Sequence, residues 1–141
     1  MPIVDLFPPG PIGDGLHADA LLELAYLMTA ADGKFTDEER RAFTQLVTRV
    51  LGVPAGEADV DALIKRFKRN GDKAEDRVRA LGPTLPMELR EAAFKIAIGL
   101  ALVDNDAAAA EDALMHVFFE ALGLDAKRAE ELAVEARAVG A

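Results

Sequence analysis

Apolar residues recur along this chain at three- and four-residue steps, and no sustained stretch alternates in twos. The first period marks the inner face of a helix and the second a half-buried strand, so the pattern predicts helices and no sheet. From His17 onward, Leu21, Leu24, Ala25, Leu27, Met28 and Ala31 make the first such face, and Asp32-Gly33 stops the helix. Thr36 opens the next: its hydroxyl can cap the backbone, and Glu39, three residues on, completes a capping box. Phe43, Leu46, Val47, Val50 and Leu51 form its inner face until Gly52 and Pro54 end it. A third helix, about Glu57 to Lys68, turns Val60, Leu63, Ile64 and Phe67 inward and Lys65, Arg66, Lys68 and Arg69 toward solvent.

Asn70-Gly71-Asp72 reads as a turn, followed by a short charged helix through Val78 and Leu81 to Gly82-Pro83. Pro86 suits the first turn of a helix running through Leu89, Ala92, Ala93, Ile96, Ala97, Leu100 and Val103. That helix is apolar nearly all round, which places it at the centre of the fold. Asp104-Asn105-Asp106 ends it, and helices near Ala108 to Leu122 and Ala126 to Ala138 complete the chain, the last capped by Asp125. The expectation is an all-α, compact bundle of about seven helices in one domain, residues 17–141, preceded by an extended arm, residues 1–16.

Composition narrows the chemistry. Of 141 residues, 16 are basic and 25 acidic, a net charge of −9 that repels nucleic acid and anionic lipid and favours cations and basic surfaces as partners. Without cysteine there is no disulfide, thiolate catalyst or zinc finger. Serine is absent too, so a nucleophilic enzyme would depend on threonine, lysine or a carboxylate, with His17 and His116 as its imidazole bases. The opening MPIVDLFPPGPIGDG lacks a signal peptide's basic cluster, and the apolar run from Ala92 to Val103 is shorter than the roughly 20 residues that span a bilayer. The expected setting is the cytoplasm, with no direct membrane insertion.

The two halves superimpose. LAYLMTAADGKFTDEERRAFTQLVTRVLGV lies over FKIAIGLALVDNDAAAAEDALMHVFFEALGL as apolar helix, acidic turn, second helix and Leu-Gly, which predicts a helix-loop-helix unit used twice. In this register Asp32 meets Asp104, Glu39 meets Glu111, Gly52 meets Gly123 and Gly33 meets Asn105. Gly and Asn both tolerate positive φ, so the two turns are expected to share a backbone shape. Ala30-Ala31-Asp32-Gly33, Phe35, Glu38-Glu39 and Leu51-Gly52, with Asp104, Glu111 and Leu122-Gly123, give the chain a resemblance to the TerB-like family of tellurite-resistance proteins over about residues 18–136. The resemblance implies a helical bundle of pseudo-twofold character, an association with tellurite or other chemical stress, and divalent-cation binding at the acidic turns. It does not imply catalysis. Asn105 in place of glycine, and the alanines from Ala107 to Ala110, depart from the family pattern.

The candidate metal ligands are Asp32, Glu39, Asp104, Asp106 and Glu111, since a hard cation (calcium, magnesium or manganese), or zinc, needs several ligands converging from different places. Structural uses compete with that role: Glu39 fits a capping box, Asp32 suits a turn, and Glu111 in a first helical turn gains about 0.3–1 kcal/mol from the helix dipole. A lone EF-hand is excluded, because Met28 and Ala30 occupy the positions of its first two oxygen ligands. Asp112 and His116, four apart, suit a hydrogen-bonded pair or a transition metal, and His17 lies beside Asp14 and Asp19. Phe94, Met115, Phe118 and Phe119 read as core.

Three functions are compatible with these residues. One is a non-catalytic TerB-like stress module taking a divalent cation, with no organic cofactor. Another is a protein-interaction domain that uses the arm or an apolar groove. The third is an enzyme built on a carboxylate pair. A protein partner fits the first two; the oligomeric state has no signature in the sequence.

Overall fold

The computed structural model describes the backbone of residues 3–8, 10–30, 36–69, 73–103 and 109–140, and the side chains among them except those of residues 3, 4, 101–103, 109–113, 139 and 140. Seven α-helices and no strand occur in these segments: α1 (Gly15–Thr29), α2 (Asp37–Leu51), α3 (Glu57–Lys68), α4 (Ala74–Leu81), α5 (Met87–Val103), α6 (Ala109–Ala121) and α7 (Ala126–Gly140). The chain is all-α, as its periodicity predicts.

Asp14 starts α1 two residues before His17 by accepting hydrogen bonds from the amides of Leu16 (2.9 Å) and His17 (3.1 Å). The hydrogen bond from His17 is the main reason the Asp14 carboxyl is held below its ordinary range. The helix is buried on more than the one face its spacing predicts: Leu22 and Tyr26 are inside with Leu21, Leu24, Ala25 and Met28, while Leu27 is half-buried. α1 therefore shares the centre with α5, whose Ala93, Phe94, Ile96, Ala97 and Leu100 are buried. A helix enclosed on most sides carries little amphipathic signal.

α5 opens one residue later than Pro86 suggests. The Pro86 carbonyl accepts from Leu89 (2.9 Å) and Arg90 (3.0 Å), which makes it the residue before the helix. α7 lies along α5, where Arg128 donates to Glu91 (2.8 Å) and Lys95 stands 3.5 Å from Glu135. α4 packs on α6, and at its end Gly82 lies so close that a Cβ there would sit 2.9 Å from the Ala121 carbonyl oxygen. Before α1, residues Ile3–Leu6 form a 3-10 turn, and Leu6 and Phe7 are buried against the bundle. The segment is tied to α2 by Arg49, which donates to the Pro8 carbonyl (3.0 Å), and by the Ile12 amide on the Val50 carbonyl (2.9 Å).

Gly52 and Gly123, partners in the sequence register, have φ of 75° and 63°. Each follows a helix at the left-handed position that favours glycine. The Gly33 and Asn105 turns lie outside the described residues.

The Glu91–Arg128 pair carries a pH dependence. The hydrogen bond from Arg128, and then the positive charges of Arg128 and Lys95, lower the Glu91 carboxyl from its usual 4.5. A carboxylate lowered on folding adds stability that is complete above 4.5 and fades as pH falls through the folded-state value. Glu91→Gln is expected to flatten the acid limb of the unfolding midpoint plotted against pH below 4.5. Identical slopes for the two proteins would deny the pair this role.

Candidate functional site

Of the candidate ligands, Glu39 has its surroundings described. Thr36 has extended backbone (φ −69°, ψ 162°); its hydroxyl accepts from the Glu39 amide (3.2 Å), and Glu39 Oε1 accepts from the Thr36 amide (3.1 Å). Both halves of the predicted capping box are formed. Glu39 is only 1% exposed, and a carboxylate taken so far out of water requires hydrogen-bond donors. Asp37 and Glu38, in the same first turn, are exposed and benefit from the positive end of the helix.

Asp32, Asp104 and Asp106 lie outside the described residues, and Glu111 stands on α6 with its side chain outside them. Among the described residues, no group of three or more histidines and carboxylates converges closely enough to hold a metal ion.

His116 is placed 3.0 Å from Glu120, one turn on along α6, and its side chain is largely exposed. The Asp112 side chain, its expected partner, is outside the described set. His17 Nδ1 is 3.8 Å from Asp14 Oδ2, next to the cap of α1.

Two polar features have no counterpart in the sequence reading. Glu23, in the middle of α1 and 5% exposed, accepts a two-pronged hydrogen bond from Arg77 of α4, through Nε at 2.6 Å and Nη2 at 2.9 Å. Arg90 reaches three carbonyls, those of Leu85 (2.6 Å), Pro83 (2.9 Å) and Leu122 (3.5 Å), and so ties the α4–α5 connection to the end of α6. The guanidinium's rigid fork of five N–H donors suits both tasks. A glutamate within an apolar helix, and an arginine in the first turn of α5, were the available signals. Their partners lie 54 residues away for Glu23 and 32 for the Leu122 contact, beyond what local spacing reports.

An enclosed pair of central helices, a capped acidic first turn of α2, and left-handed glycines after α2 and α6 define an all-helical scaffold among the described residues. A model of the tellurite resistance protein TerB family matches residues 18–134. The chain belongs to that family, and the match covers most of its length. No curated protein and no solved structure matches it. No helix among the described residues is long and apolar enough to cross a membrane.

Proposed function

We propose that this chain is a non-catalytic module of the tellurite and chemical-stress response that takes a divalent cation between its two acidic turns. The family match carries this reading, because residues 18–134 include both turns. Asp32, Asp104, Asp106 and Glu111 are the ligands in this reading, and they supply the hard oxygens that calcium, magnesium or manganese prefer. Glu39 has the supporting task. Its box with Thr36 fixes the backbone at the start of α2. The negatively charged chain is a poor direct trap for an oxyanion, so its contribution to resistance runs through the cation and a protein partner in the cytoplasm.

Thermal unfolding with calcium, magnesium, manganese or zinc tests this. An ion at about 100 times its dissociation constant stabilises the native state by about 2.7 kcal/mol, so at least one should raise the midpoint by several degrees. Asp32→Ala and Asp104→Ala should each abolish the rise. Glu39→Gln keeps an acceptor for the Thr36 amide and should retain it, whereas Glu39→Ala removes that acceptor and should lower stability by about 1.5–3 kcal/mol without ions. A midpoint unmoved by all four ions would leave the module without a cation.

A further inference from the structure

Five large apolar side chains are exposed among the described residues, and two of them, Leu51 (45%) and Val53 (58%), stand together on the wall of one groove. The sequence places Leu51 on the inner face of α2. The structure turns it outward at the last residue of the helix, where Gly52 in the left-handed conformation bends the chain away. The groove, about 490 Å³, is lined by Leu51, Val53 and Pro54 at and beyond the end of α2 and by half-buried Leu63, Arg66 and Arg69 toward the end of α3. A second hollow of about 570 Å³ lies across Val53 and Pro54.

The charge here runs against that of the whole chain. At net −9 the protein is acidic, yet the last turn of α3 and its cap present Lys65, Arg66, Lys68 and Arg69, all exposed. A helix C-terminus welcomes one cation, worth about 0.3–1 kcal/mol, but it does not require four. Arg66 is held by Asp19 at 2.8 Å and lies over the Phe67 ring. Lys65, Lys68 and Arg69 have no ion pair among the described residues. The acidic member of the wall, Asp59, is occupied: its Oδ2 accepts from the Gly56 amide at 3.0 Å.

An apolar slot flanked by Arg69, which has no ion pair among the described residues, and by Arg66, which is shared with Asp19, fits a ligand with the reverse pattern. We infer that the α2–α3 groove is a docking site for an acidic peptide segment of another protein, which buries one bulky apolar side chain between Val53 and Leu63 and sets its carboxylates against Arg66 and Arg69. The anchor supplies the affinity, because a side chain in a pocket dominates such contacts. The carboxylates supply orientation and a rapid encounter. This inference stands apart from the cation site, since none of its residues belongs to the acidic turns.

The probe is an array of fluorescein-labelled 12-residue peptides, each with one Leu or Phe at a varied position among Asp and Glu, read by anisotropy against the full chain. Members should bind in the micromolar range and weaken as salt is raised. Val53→Asp and Arg69→Glu both change exposed side chains, so the fold should survive. Each should weaken binding about tenfold or more, as expected when an anchor contact worth over ~1.4 kcal/mol is lost. Amide NMR shifts should centre on residues 53, 63 and 69. The inference is overturned if no member binds, if both variants bind like the parent, or if poly-glutamate without an anchor or a lysine-for-acid array binds equally well. It is equally overturned if sedimentation shows a second copy of the chain occupying the groove.

Discussion

Glu23→Ala is expected to cost about 3 kcal/mol of stability, at the lower end of the range for breaking a buried ion pair. The carboxylate sits in the middle of α1 at 5% exposure and receives both prongs of the Arg77 guanidinium. Its removal takes this carboxylate away from a partly buried cation. The Arg77 side chain keeps 22% of its exposure, which lets water soften the loss. Arg77→Met is the harsher mirror image, since it leaves a buried carboxylate without that guanidinium. The double variant Glu23→Leu/Arg77→Met removes both charges and keeps the volume, and such replacements are often neutral or stabilising. It should recover at least half of what either single change loses. Urea unfolding supplies the measurement: the midpoints should move while the slope stays constant, because the surface exposed on unfolding is unchanged. Additive losses with no recovery would mean that the two residues act independently.

That pair also marks where reading the chain stops. Elements whose cause is local were legible. The capping box at Thr36 and Glu39, the extent of α3 and the left-handed glycine after α2 all follow from residues within four positions of one another. Burial was legible only for an amphipathic helix. The inner faces of α2 and α3 are those the spacing gives, apart from Leu51 at the end of its helix and half-buried Leu63. α1 hides Leu22 and Tyr26 as well as Leu21, Leu24, Ala25 and Met28 of the predicted stripe, because its neighbours surround it, and nothing within one helix records how many neighbours it has. Contacts across the fold, such as Glu23 with Arg77 or Arg90 with Leu122, were invisible for the same reason. The candidate site divides along this line too. Glu39 was recognisable as a cap from sequence, whereas a site shared by two distant turns would depend on tertiary packing, and Asp32, Asp104 and Asp106 lie outside the described residues.

Phe67→Ala should have an effect of similar size but confined to one part of the molecule. The buried apolar contact of α3 with the bundle is a single stripe, Val60, Ile64 and Phe67, flanked by the exposed ion pairs Arg66–Asp19 and Arg40–Asp61, and its opposite side is exposed. The Phe67 ring packs 5.8 Å from that of Tyr26, which in turn meets Phe43 edge-on at 6.3 Å, so these aromatics connect α3 to α1 and α2. Burial in this cluster pushes the Tyr26 phenol above its ordinary range. Truncating a buried phenylalanine costs about 3–5 kcal/mol when the surroundings cannot collapse. Here the cheapest response is for α3 to open by itself, since local unfolding exposes only its own stripe and the patch around Tyr26 that it covers. Amide hydrogen exchange should therefore accelerate about a hundredfold or more across residues 60–68, the ratio that ~3 kcal/mol implies, while α5 keeps its protection. Phe67→Leu retains most of the apolar volume and should show a much smaller change. The groove beside Val53 should lose its acidic peptides in step with α3, because Leu63, Arg66 and Arg69 all stand on that helix. If instead α5 and α3 lose protection together, α3 is an integral part of the cooperative core, and its outer face is as rigid as the bundle that carries it.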